Sequence, residues 1–275
     1  MYLPRVLAIH DICSYGKCSE TVAIPIISAC GVEVIPLLTS IFSTNTSFEK
    51  FKMIDFTENM LVFLEHFKEI GLKFDGLYTG FLGSEKQIEY IKGIITNFRP
   101  KQIFIDPVMA DNGVIYKTYT KEMCDGMREL AGLSDYVLPN LTESCILANE
   151  EYKTIDTSSN GIKKLATKIM GLGAKNIIIT GIERCNKIYN CILTKDEYIE
   201  REIELLPFRM HGTGDLFSSV LTGGILSGHS LVESVDSAAK FVYDVMEYSQ
   251  TIDGYHERGA CFEPLLYRLH GGICK

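Results

Sequence analysis

Three observations predict an α/β fold in which a mostly parallel sheet is covered by helices on both faces. Short apolar runs alternate with amphipathic segments along the whole chain. The connections between them are short, as right-handed strand–helix–strand crossovers require. Many of the apolar runs end in polar residues, and in such sheets ligands bind beyond the carboxyl ends of the strands. The 275 residues suffice for one large core, and the sequence has no repeat, linker or low-complexity segment. It is therefore read as a single three-layer domain, 1–275.

Taken in order, RVLAIH (5–10) reads as a buried strand, SETVAIPIISACG (19–31) as a helix with a glycine stop, and VEVIPLL (32–38) as the next strand. FTENMLVFLEHFKEIGL (56–72) spaces its apolar residues for a helix, with Thr57 as N-cap. FDGLYTG is a strand entering a glycine turn, and SEKQIEYIKGIITNF (84–98) is a helix opened by Ser84. QIFIDPV (102–108) is a strand ending in Asp106-Pro107. TKEMCDGMRELAGL follows as a helix, and DYVLPN as a strand ending at Asn140. Helices near 142–149 and 158–171 precede the strand NIIITG (176–181) and an antiparallel pair (187–205) around Lys195-Asp196. The helices DLFSSVLTGGILSG and SLVESVDSAAKFVYDVMEYS close the reading.

With 46% hydrophobic and 23% charged residues the chain has the balance of a soluble globular protein. It has no apolar run of about 18 residues, so no membrane span is expected. The start MYLPRVLAIHD lacks a signal-peptide pattern, which predicts a cytoplasmic protein. A net charge of −8 without a basic run argues against nucleic acid as a partner. The nine cysteines are scattered, and Cys13 and Cys18, five apart, are poorly spaced for zinc. They are expected to be reduced and mostly buried, with Cys13 and Cys18 in a loop that borders the site.

The stretch RMHGTGDLF (209–217) carries the strongest chemical signal. Glycines before a helix start bring backbone N–H groups and a positive dipole end to an anion. Asp215 then either caps the helix or takes a proton from an attacking hydroxyl while those N–H groups hold a phosphoryl group. Asp106 and Glu143 each follow a strand and suit Mg2+ beside a polyphosphate. The spacing of Asn140 and Glu143 in NLTE equally suits a capping box. Asp111-Asn112-Gly113 is a turn or a mobile loop. Asp11, Ser43 and Thr46 are polar groups at the predicted rim, or ordinary loop polarity. His10 reads as a packed strand-end residue; His211 is left open between packing and nucleotide contact. The Walker, protein-kinase and dinucleotide GxGxxG patterns are missing.

In this company the chain resembles the pyridoxal/pyridoxine/pyridoxamine kinases of the ribokinase-like superfamily over nearly its whole length. The ordered matches are CGVEVIPLLTSIFSTNT, TGFLGS, DPVMADNG, NLTE and GTGDLF. The resemblance implies ATP-dependent phosphorylation of the hydroxymethyl group of a B6 vitamer. Asp215 would be the base, and Gly212, Thr213 and Gly214 the anion hole. Asp106 and Glu143 would serve Mg2+ and ATP with Asn140 nearby. Thr180 and Phe208, Arg209, Met210 and His211 would line the nucleotide; Asp11, Ser43 and Thr46 would face the substrate. It also implies a homodimer and allows a monovalent cation. Asp11 stands in place of that family's ring-contacting serine, and Ala110 in place of a glycine. The related hydroxymethylpyrimidine kinases carry an aspartate near the first position and share His211, and their activity is the alternative reading. A catalytically silent nucleotide-binding regulator is the other.

Overall fold

The computed structural model describes residues 2–45 and 48–274. It contains two compact units, one formed by residues up to Gly80 together with those from Leu206 onward, the other by Phe81–Leu205.

In the first unit, β1 (Arg5–Cys13) lies between β2 (Glu33–Phe42) and β4 (Gly76–Thr79), parallel to both. A short β3 (Met53–Asp55) pairs antiparallel with β2. Val6, Leu7, Ala8 and Ile9 are wholly buried; an unbroken apolar run is what a strand covered on both faces needs. The β1–β2 register shifts between His10 and Ile12, so a bulge re-aims Asp11. Pairing resumes at Ile12↔Ile41 and Cys13↔Phe42, which carries β1 three residues past the end predicted from the apolar run.

Four helices accompany these strands: α1 (Glu20–Ala29), α2 (Thr57–Glu69), α7 (Thr213–Leu226) and α8 (Leu231–Ser249). Helix α7 packs against both α1 and α8. Gly223 permits the first approach, since a Cβ there would lie 2.7 Å from the Cys30 side chain. Ser230 and Glu233 close a capping box at α8. The predicted cap at Thr57 is corrected: Phe56 holds the N-cap position, and the Thr57 hydroxyl donates to Asp55 at 2.6 Å instead. A short helix α9 (Tyr255–Arg258) and a 3₁₀ segment (Glu263–Leu269) follow α8; neither was foreseen, because apolar spacing is weak over so few residues.

In the second unit β5 (Gln102–Ile105), β8 (Tyr136–Val137) and β9 (Asn176–Arg184) run parallel. β10 (Lys187–Leu193) and β11 (Tyr198–Glu204) extend the sheet antiparallel, as the alternating sequence predicted. Cys185 (φ 49) and Asn186 (φ 60) turn the chain between β9 and β10. Helices α3 (Glu85–Phe98), α4 (Lys121–Gly132), α5 (Leu141–Ala148) and α6 (Ser159–Met170) connect the parallel strands. Ser84 caps α3 as read, accepting from the Gln87 N–H. Of the two readings of Asp111-Asn112-Gly113, turn or mobile loop, the structure has the turn: β6 (Ala110–Asp111) and β7 (Val114–Ile115) form a small hairpin around it. Its turn is Asn112 (φ 49) and Gly113 (φ 76), the Asn-Gly pair that two-residue hairpins favour.

Candidate active site

The glycine loop ends at the start of α7. Gly212 is the N-cap at φ 82, and a Cβ there would lie 2.3 Å from the Lys17 carbonyl oxygen. Conformation and space thus both demand glycine. A Cβ on Gly214 would meet nothing within 4 Å, so the first turn of α7, whose N–H groups have no partner within the helix, borders open space. The N-terminus of α7 has no side-chain cap. Asp215 therefore does not cap its own helix: its Oδ2 accepts from the Ser19 N–H at 2.9 Å.

Ser19 joins two carboxylates. Its hydroxyl donates to Asp11 Oδ1 at 2.7 Å while its N–H serves Asp215. It holds a positive φ of 54, a strained backbone for a residue with a side chain. The Cys13 thiol donates to Asp11 Oδ2 at 3.5 Å. Glu20, in the first turn of α1, is fully buried, and neither carboxylate oxygen has a hydrogen-bond partner among the described residues. Sequence reasoning missed both Ser19 and Glu20. An acidic residue in a first helical turn looks like ordinary dipole stabilisation, and no local signal marks Ser19.

Three acids so close cannot all ionise freely. Burial raises Asp215 to about 6; the Ser19 N–H opposes this and the Asp11 charge adds to it. Burial also raises Asp11, against the pull of Ser19 and Cys13. Glu20 lies well above the usual range, through burial and then through the charges of Asp11 and Asp215. The Cys18 thiol is pushed up by its bond with Cys13, then by burial and the neighbouring acids. Cys13 is buried and Cys18 half-buried.

The remaining residues predicted at this rim are more ordinary. Ser43 is exposed and its hydroxyl accepts from the Lys52 N–H at 2.8 Å, closing the turn into β3. Thr46 lies outside the described residues. Phe208 meets Tyr255 edge-on at 5.9 Å, and the Met210 carbonyl accepts from the Thr213 hydroxyl at 3.2 Å. Arg209 and His211 are exposed. His10 is packed as read: it is fully buried, lies 4.4 Å from the Tyr78 ring, and is held neutral by burial, which lowers it to about 3.

In the second unit, Asp106 is buried just beyond β5, and Glu143 is buried at the third position of α5. Glu143 Oε1 accepts from the Met109 N–H at 3.2 Å, and Oε2 from the Asn140 N–H at 2.9 Å. Asn140 Oδ1 accepts in return from the Glu143 N–H, so the capping box is formed. Asn140 also donates to the Ala110 carbonyl, and the Thr142 hydroxyl accepts from the Gly113 N–H, both at 2.9 Å. These two bonds tie the β6–β7 hairpin to the start of α5. Thr180 on β9 donates its N–H to the Pro139 carbonyl and bridges to Asn140. Burial and then the Asp106 charge hold Glu143 well above the usual carboxylate range, against three backbone N–H groups. Two buried carboxylates in each other's field are a hard-oxygen donor set short of positive charge, which fits Mg2+. Because both Glu143 oxygens already accept backbone bonds, contact through water suits this residue best.

Solved structures share this fold over nearly the whole chain. A phosphomethylpyrimidine kinase candidate from Bacteroides thetaiotaomicron, in an orthorhombic form with pyridoxal, is 32% identical with a TM-score of 0.92, covering 98% of this chain and 96% of its own. Pyridoxal kinase from Lactobacillus plantarum, at 23% identity, has the same fold with a TM-score of 0.90 over 98% and 97%. Among curated relatives, pyridoxal kinase PdxY of Actinobacillus pleuropneumoniae is 25% identical over 89% of each chain. The pyridoxine kinase of Bacillus subtilis is 28% identical over 67% of this chain and 68% of its own. Mostly parallel strands flanked by helices, with a glycine-led helix start beside a carboxylate, define a kinase of the ribokinase-like superfamily, and the resemblance read from the motifs is borne out. Within that class, the phosphomethylpyrimidine kinase family model matches residues 24–259, and the chain belongs to that family.

Proposed function

We propose that the protein phosphorylates the hydroxymethyl group of a B6 vitamer, pyridoxal, pyridoxine or pyridoxamine, with ATP as phosphoryl donor. The observation that carries this reading is the 32% identity, over 98% of this chain, to a protein whose structure contains pyridoxal. The chain's own geometry supports it. Asp215, raised to about 6, is largely ionised at neutral pH, yet basic enough to take a hydroxyl proton as the oxygen attacks. One of its oxygens is held by the Ser19 N–H, which orients the carboxylate and leaves proton-accepting capacity on the other. Gly212, Thr213 and Gly214 supply backbone N–H groups for the transferring phosphoryl group. Asp11 and Ser43, with Thr46, belong to the alcohol side in this reading, and Asn140, Thr180 and Phe208–His211 to the nucleotide side. Asp106 and Glu143 would hold Mg2+, which when bound neutralises charge developing on the phosphates.

The reading carries with it a cytoplasmic homodimer and leaves a monovalent cation as a further cofactor. Among the described residues no helix is long and apolar enough to cross a membrane. Phosphorylation of hydroxymethylpyrimidine is the second reading, favoured by the family match and by the acceptor character of Asp11, which suits a ring presenting an amino donor. ATP consumption with pyridoxal, pyridoxine, pyridoxamine and hydroxymethylpyrimidine tests both. Turnover with the pyrimidine alone would replace the first reading by the second, and turnover with none of the four would overturn both.

A further inference from the structure

The loop between β1 and α1 gathers a mixed donor set. The ligand atoms of Asp11, Cys13 and Cys18 all lie within 4.8 Å of one another. A tetrahedral ion bound to thiolates and a carboxylate at ~2.0–2.3 Å sets such atoms about 3.5–4 Å apart, so small side-chain movements would close the set. The five-residue spacing of the cysteines is unhelpful by itself. The bulge at Asp11 and the return of the loop supply what the spacing lacks.

A second observation points to a cation at the same place. Glu20 is 0% exposed, its oxygens have no partner among the described residues, and its carboxylate lies in the field of Asp11 and Asp215. A buried carboxylate is costly unless it is paired or coordinates a metal. Lys17, the basic residue of this loop, is turned away: its ammonium is 2.7 Å from Glu263 and lies over the Phe262 ring.

We propose that Asp11, Cys13 and Cys18 bind one thiophilic divalent ion of the zinc class, with Glu20, outside that set, supporting it through water. Thiolate ligands select such an ion over Mg2+, and binding releases the thiol protons to solvent. Occupation takes Asp11 away from the alcohol substrate, so the ion inhibits by competing with it. This consequence rests on the proposed function; the binding itself does not.

The test uses the full chain, reduced and stripped of metal, titrated with Cd2+ in excess Mg2+ while the ultraviolet thiolate-to-metal charge-transfer band is followed. One tight equivalent is expected, lost in Cys13→Ser and in Cys18→Ser but kept in Cys185→Ser, which removes an exposed thiol. Glu20→Gln should weaken it about ten- to a hundredfold, the range for residues that support a metal's direct ligands. No tight phase in the parent, or one that survives in the Cys13/Cys18 double variant, overturns the site. Should the cysteine variants misfold, as circular dichroism would show, an unchanged Cd2+ affinity in Asp11→Asn overturns it equally. For the consequence, Zn2+ inhibition should be relieved by raising the alcohol substrate, and inhibition indifferent to that substrate overturns competition. A chain that binds Cd2+ tightly but phosphorylates none of the four alcohols leaves the metal site standing and removes the proposed function.

Discussion

The two acidic centres of this chain are built on opposite plans. Asp215 is half-buried and held by a single backbone N–H, that of Ser19. Glu143 is fully buried and has a backbone N–H on each oxygen. Burial raises both, but the tethers differ in what they permit. A carboxylate with one engaged oxygen can exchange a proton on the other without breaking its anchor. A carboxylate engaged at both is fixed in place with less acceptor capacity to spare, and it serves better as a fixed charge and a structural cap. The contrast agrees with the proposed roles, proton transfer for Asp215 and charge placement for Glu143, on grounds independent of any motif.

The largest effect should come from Asp215→Asn, which keeps shape and removes the proposed base. We expect turnover to fall by about 10²–10⁴ while nucleotide affinity, measured by calorimetry, stays near the parent's. A variant within about tenfold of the parent would remove the proton-transfer half of the contrast.

Glu143→Gln probes the other half. The amide NH2 would have to face one of the N–H donors of Met109 or Asn140, so a bond becomes a repulsion. A loss of about 1–3 kcal/mol is expected, read as a lower midpoint in urea unfolding without Mg2+. With Mg2+ present, the metal titration of activity should also shift upward. An unchanged midpoint would mean that Glu143 is not the fixed element described here.

A smaller, graded effect lies in the pH profile. Under the proposed function the ionised form of Asp215 is the base, and its value near 6 places the loss on the acid side. kcat/KM should fall as pH drops through about 6, approaching ~tenfold per unit below it. Because the Asp11 charge helps to raise Asp215, Asp11→Asn should move that limb to lower pH. A limb that stays in place would uncouple the two aspartates.

The smallest effect concerns the hairpin tied to α5. Thr142→Val removes the acceptor for the Gly113 N–H, a bond worth about 0.5–1.5 kcal/mol. Hydrogen exchange at 110–115 should quicken by roughly three- to tenfold, with the rest of α5 unchanged. Exchange that is unaltered would mean that Asn140 alone holds the hairpin.

What the sequence disclosed follows the range of the interactions involved. Ser84 and the Asn140–Glu143 spacing act within one helical turn, so residue type and offset suffice to read them. The parallel strands were legible because their burial is written as unbroken apolar runs. The Ser19–Asp215 bond spans 196 positions, and no local pattern encodes it. Glu20 escaped for a related reason: its burial depends on where α1 packs, not on its neighbours in sequence. The β6–β7 hairpin did leave a signal, Asn112-Gly113, but the flanking strands of two residues each are too short to show alternation. The start of α7 was placed one or two residues late because Gly212, not the carboxylate, ends the preceding turn.

The turn between β9 and β10 has a practical consequence for anyone attaching a reporter to this protein. Cys185 is the exposed thiol there, whereas Cys13, Cys30, Cys124, Cys145, Cys191 and Cys261 are buried. An alkylating dye added in modest excess should therefore couple first at residue 185, on a tight hairpin whose backbone is pinned on both sides by β-ladder bonds. A fluorophore placed so would report tumbling of the second unit rather than wagging of a loose segment. It would also leave the thiols beside Asp11 chemically intact for a second, slower reagent.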